Sequence, residues 1–218
     1  YAIKMGANSN TTSYLPSASD LDLFYPIKKN KEILKKYNLT NDDTIILFAG
    51  TLYNFSGLDH LLLHLAKNSK KYSYLKFMII GHGEQAGKLR EIVQKYKLNN
   101  VTLTGFINYA YLPKYINLAD ICINPFEINK ITNIIFPGKI YQYLACEKPV
   151  IATRLSGVID IFPDNGGKNN IFYFDISRPK EFFDLVEKIK RKKIKDINPS
   201  LQEIAETIEN RLKALKAG

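Results

Sequence analysis

Six short apolar runs, at 44–48, 75–80, 101–104, 120–124, 150–152 and 171–174, alternate with stretches of helical spacing, and this alternation restricts the chain more than any other feature. Runs of this length bounded by turn residues read as strands buried on both faces. The stretches 57–67, 84–96 and 111–118, a segment opening at Pro137, and 179–193 carry helical patterns, and 28–37 reads as a short basic helix. Strand–helix alternation predicts an α/β fold, a doubly wound parallel sheet of about six strands with helices on both faces. Such sheets take ligands at the carboxyl ends of their strands. Gly50, Gly81, Gly105 and Pro125 each follow an expected strand, so they should gather on that one edge. The expected division is a lead-in or inter-domain linker at 1–26, one Rossmann-like domain at 27–195, and a C-terminal helix at 196–218 built on 199–213. The irregular lead-in suggests a linker, or that something upstream has been removed.

Charge narrows the partners. With 31 Lys and Arg against 21 Asp and Glu, the net charge is +10, which favours nucleotides, nucleic acid or acidic lipid. Nucleic acid is disfavoured, because the cations are not interleaved with aromatics along one strand face. No run of about 18 apolar residues reads as a membrane span, and residues 1–20 lack the apolar core of a signal peptide. Cys122 and Cys146 fall in expected buried elements and read as reduced core residues of an intracellular protein. No Cys/His cluster has metal-ligand spacing. His60 and His64 stand one helical turn apart without an apparent third ligand, among leucines that suggest a packing helix.

The chemistry is expected to centre on 131–153. Pro137 and Gly138 punctuate a loop and open a helix, and Ile140, Tyr143, Leu144 and Ala145 form its apolar face. Lys148 and Pro149 end it, and an apolar run follows. A loop feeding a helix N-terminus offers unpaired amides and a positive dipole end, which suit a diphosphate. Lys139 lies in that first turn, where a cation disfavours the helix itself, so it either answers an external anion or is simply solvated.

In order along the chain stand Asp20-x-x-x-Phe24-x-Pro26, Phe48-Ala49-Gly50-Thr51-Leu52 with Ser56-Gly57-Leu58, and Ile79-Ile80-Gly81-His82-Gly83. Then come Leu103-Thr104-Gly105-Phe106-Ile107, Leu118-Ala119-Asp120-Ile121 with Pro125, and Pro137-x-Lys139-x-x-Gln142-Tyr143-Leu144-Ala145-x-x-Lys148-Pro149-Val150. Over roughly residues 15–195 this ordered set resembles the C-terminal, nucleotide-sugar-binding half of group 1 (family 4) glycosyltransferases of the GT-B superfamily. The resemblance implies a retaining transferase that moves a sugar from a UDP- or GDP-sugar to a glycan or lipid-linked acceptor, with no cofactor and no metal. It also implies that an N-terminal acceptor domain is missing from this chain, which alone should bind donor and transfer poorly or not at all. The donor-binding residues it implies are Gly50, Thr51, Gly81, His82, Gly83, Phe106, Glu127, Pro137, Gly138, Lys139, Ile140 and Gln142, and no catalytic residue is named.

Four positions depart from the family pattern. Ile134 and Gln142 stand where the family carries two glutamates, and Thr51 and Ser56 stand where its first glycine loop carries basic residues. Gln142 keeps hydrogen-bonding capacity toward a ribose but not the charge. These departures also fit a non-catalytic binding or scaffold module that has lost transferase chemistry. An NAD-dependent enzyme is a poor fit, since no Gly-x-Gly-x-x-Gly follows the first strand. Phe106 either flanks a base or packs ordinarily, and Glu127 either reaches a sugar hydroxyl or is a solvated loop carboxylate. Lys188, Lys190, Arg191, Lys192, Lys193 and Lys195 either cap a solvated helix end or face an anionic membrane. The expected setting is cytoplasmic, peripheral at the inner face of the membrane.

Overall fold

The computed structural model describes residues 3–9 and 19–191. The expected helix at 199–213, the cations Lys192, Lys193 and Lys195, and part of the lead-in lie outside the described residues. The strands are β1 (Thr44–Ala49), β2 (Leu75–Ile80), β3 (Val101–Gly105), β4 (Ile121–Asn124), β5 (Val150–Thr153) and β6 (Ile171–Phe174). Between and around them run α1 (Lys31–Lys36), α2 (Leu58–Lys67), α3 (Ala86–Lys95), α4 (Leu112–Ile116), α5 (Lys139–Ala145), α6 (Ser156–Ile159) and α7 (Pro179–Arg191). All pairings are parallel, in the order β3-β2-β1-β4-β5-β6. The chain order therefore reverses between β1 and β4, and the crevice above that point is where doubly wound sheets bind ligands.

The strands obey their burial pattern. β1, β4, β5 and β6 are buried at every position, whereas four of the five residues of the edge strand β3 are half-exposed. That difference explains why β3 alternates threonine with apolar residues while the inner strands read as continuous apolar runs. α7 buries Phe182, Phe183, Val186 and Ile189, and Phe183 stacks on Tyr72 at 4.3 Å. α1 starts later than the sequence suggests, because the Asn30 side chain accepts from the Ile33 amide and fixes the cap there. α6, only four residues long, is too short to show a period.

Phe24 is completely buried, and the Asn117 side chain accepts from the Ile27 amide and donates to the Tyr25 carbonyl. The segment just before α1 is thus part of the packed domain. Both cysteines are free and buried; burial pushes the Cys122 thiol well up and the Cys146 thiol to about 11.

Candidate functional site

The carboxyl ends of β1, β2 and β3 are stitched together through backbone bonds. The Gly50 amide donates to the Ile80 carbonyl (3.0 Å), Gly81 to Gly105 (2.9 Å) and Leu52 to His82 (2.9 Å). Above them lies a cavity of about 220 Å³ lined by Ala49, Gly50, Thr51, Ile80, Gly81, His82, Phe106, Ile107, Tyr109 and Leu112. Its outer wall is aromatic: Phe106 is 69% exposed and meets the His82 ring edge-on at 5.8 Å. The cavity is smaller than the 300 Å³ or so at the lower end of drug-sized pockets, so it fits one ring system, and a longer ligand would extend along the open crevice.

α5 forms the other side. The Tyr143 hydroxyl accepts from the Ala49 amide at 2.8 Å and donates to the Ala49 carbonyl at 3.3 Å, which ties α5 to the last residue of β1. That tie brings Lys139 under Gly50: a β-carbon added to Gly50 would stand 2.9 Å from the Lys139 amino nitrogen. The same nitrogen sits 4.2 Å from the Phe48 ring centre and 4.4 Å from that of Phe126, so it bridges the ends of β1 and β4 at the point where strand order reverses. Lys139 as a whole is half-buried, and burial around its amine brings its pKa down to about 7 from the ordinary 10.5. Among the described residues no carboxylate pairs with it; two ring faces are its contacts. The amides of Gly138 and Lys139 likewise find no acceptor among the described residues, while those of Ile140 and Tyr141 turn back to Pro137 and Gly138. Three residues beyond Lys139, on the same helix face, Gln142 donates from Nε2 to the Tyr109 hydroxyl at 3.4 Å.

The structure thus brings Gly50, Thr51, Gly81, His82 and Phe106 around one cavity and sets Pro137, Gly138, Lys139 and Gln142 beside it. Three expected residues fall elsewhere. The Ile140 side chain is completely buried, because the residue next to Lys139 on the helix faces the core. Gly83 packs on the Leu52 backbone, where an added β-carbon would meet the carbonyl oxygen at 2.6 Å. Glu127 is held by His60 at 3.1 Å instead of projecting freely from its loop. Ser56 is not at the cavity either: it is fully buried and donates to Gln85 Oε1 at 2.5 Å, within a network that includes Asp59 and Lys88.

The helical histidine pair does not act together. His64 stacks on Phe183 at 5.0 Å, while His60 gathers with Asp59 and Glu127 so that one ligand atom of each lies within 4.8 Å of the others. Lys88 stands 2.5 Å from Asp59 and already neutralises it. Tyr109, a cavity residue between Gln142 and Phe24, escaped sequence reasoning because both of its partners are distant in the chain.

Fold and site together define a Rossmann-like α/β domain whose cavity lies at the carboxyl edge of a doubly wound sheet. The chain belongs to the family described as glycosyl transferases group 1, whose model matches residues 43–191. Among curated relatives it is 23% identical over 162 residues to alpha-D-kanosaminyltransferase of Streptomyces kanamyceticus, covering 74% of this chain and 40% of that protein. It is 25% identical over 166 residues to alpha-monoglucosyldiacylglycerol synthase of Acholeplasma laidlawii, covering 73% and 39%. The chain therefore spans well under half of the length of these relatives. Among solved structures, the C-terminal domain of the group 1 glycosyl transferase LpcC from Francisella tularensis superposes with a TM-score of 0.67 at 16% identity, covering 87% of this chain and 97% of that one. HepE of Anabaena, solved in complex with UDP, gives a TM-score of 0.68 at 14% identity, covering 99% and 60%. At these identities the structural likeness establishes the fold alone.

Proposed function

We propose that this chain is the donor-binding half of a retaining glycosyltransferase that takes a sugar from a nucleoside-diphosphate sugar to a glycan or lipid-linked acceptor. The observation that carries the reading is Lys139, an enclosed amine without an anionic partner among the described residues, set between two rings where the strand order reverses. Diphosphate oxygens would meet the Lys139 ammonium and the amides of Gly138 and Lys139, and the base would lie against Phe106, Ile107 and Leu112. During transfer the bond from the anomeric carbon to the diphosphate breaks and one to the acceptor oxygen forms. The diphosphate leaves with the electron pair and takes up the proton that the acceptor hydroxyl gives up, and preorganised donors at α5 stabilise its charge. The chemistry asks for no metal here, since helix-end amides and Lys139 supply the positive field. HepE was solved with UDP, which supports the ligand class.

In this reading the acceptor binds chiefly to a second domain that pairs with this one, and the chain by itself positions donor without transferring it. Lys188, Lys190 and Arg191, in the last turn of α7, would face anionic lipid at the inner face of a membrane.

Titration calorimetry with UDP- and GDP-sugars tests the assignment. One nucleotide series should bind with one-site stoichiometry while free sugars give no heat; silence toward every nucleotide overturns it. A second reading, a binding module without transferase chemistry, draws on the 75% exposed Ile134 and the inward-turned Ser56 at positions of departure. Release of nucleoside diphosphate when an acceptor domain is supplied separates the two.

A further inference from the structure

We propose that Tyr109 is a specificity-determining residue that, with Gln142, reads the neighbouring hydroxyls of a ribose; this rests on the nucleotide reading above. Phe106 and Ile107 line the apolar part of the cavity, and Tyr109 follows them on the same wall. The Tyr109 hydroxyl touches Gln142, and Gln142 stands one helical turn from Lys139. From ring wall to cation the groups run apolar, hydroxyl with amide, ammonium. A nucleoside diphosphate runs base, ribose, diphosphate.

The chemistry of the pair fits the middle position. Gln142 donates to the Tyr109 oxygen at 3.4 Å, a long contact of the kind that tightens or is exchanged when a ligand arrives. Among the described residues this leaves the Tyr109 O–H free to donate and the Gln142 carbonyl oxygen free to accept. Two adjacent ribose hydroxyls present the matching acceptor and donor. A 2′-deoxy or 3′-deoxy sugar forfeits one of these two hydrogen bonds.

Tyr109 is held ready for this role although it is 51% exposed. Its ring meets the fully buried Phe24 edge-on at 5.3 Å, a favoured aromatic geometry. Its short helical turn is capped by Asn108, whose side chain accepts from the Ala110 amide at 3.0 Å. The ring therefore loses little freedom on binding.

The test titrates the whole chain, wild type and Tyr109→Phe, with the nucleoside diphosphate that binds it (UDP or GDP) and with its 2′-deoxy and 3′-deoxy counterparts. The wild type should prefer the ribose form by about 10-fold or more. In Tyr109→Phe, which keeps the ring on Phe24 and hence the melting temperature, the preference for ribose over at least one deoxy form should shrink to about 3-fold or less. That shrinkage should come from weaker ribose binding, with the affinity for that deoxy form unchanged. An unaltered preference, or equal weakening of all ligands, overturns the inference, the second marking a purely structural tie between the wall and α5. A wild type that binds no nucleotide removes the underlying assignment, and is recognised before any variant is made.

Discussion

Replacing Lys139 with methionine should raise the melting temperature and, in the same protein, weaken nucleoside diphosphate binding by about 10- to 100-fold. The two effects share one cause. In the folded protein burial holds the ammonium at about 7, whereas its ordinary value is 10.5. Below about pH 7 both states are protonated, and the folded state bears the full penalty of an enclosed charge that has no counterion among the described residues. Between about pH 7 and 10.5 the unfolded chain holds the extra proton, so stability rises with pH across that window. Methionine fills similar space without a charge, so the variant should be the more stable below pH 7 and should lose this part of the pH dependence. An anionic ligand acts in the other sense. It favours the charged amine, so binding above about pH 7 takes up a proton, and affinity declines as pH rises toward about 9. Calorimetry in two buffers of different ionisation enthalpy reads the proton directly, and thermal scans at about pH 6 and about pH 9 read the stability. A Lys139→Met protein that binds as tightly as wild type removes Lys139 from the site.

The second large effect is expected at Gly81. Its φ of 135° suits glycine, and an added β-carbon would stand 1.9 Å from the Gly50 carbonyl oxygen. That oxygen belongs to the loop flooring the cavity, so Gly81→Ala must push the ends of β1 and β2 apart. A cost of roughly 3 kcal/mol follows from overpacking and backbone strain, or about 6–12 °C in melting temperature for a chain of this size. Nucleotide binding should fall with it. Gly105→Ala is the control: φ is 74°, but the space around the added carbon is open. Strain alone, about 1–2 kcal/mol, should remain there. If Gly81→Ala melts within about 2 °C of wild type, the close approach of the two loops is wrong.

The six strands were legible because each is a short apolar run closed by a turn residue, a signal that depends on neighbours in sequence. The glycine edge followed from topology alone. What the sequence leaves open is which way a side chain faces at a helix start. Lys139 and Ile140 are adjacent and both lie in the first turn, yet one crosses toward Gly50 and the other is buried in the core. Only the docking of α5, set by the distant Tyr143–Ala49 contacts, separates them. Glu127 and His60 meet across 67 positions, so their pairing leaves no local trace. Ser56 shows the converse: a polar loop residue reads as solvent- or ligand-facing until its buried partner Gln85, from another loop, is known.

The two enclosed thiols make the molecule self-reporting. Cys122 lies in the sheet strand β4, while Cys146 caps the end of α5, in the helix layer that carries Lys139 and Gln142. With their ionisation suppressed, neither offers thiolate to an alkylating reagent while that layer is closed. The rate at which a reagent modifies them is therefore a clock for opening of this layer, readable by mass without introducing any label.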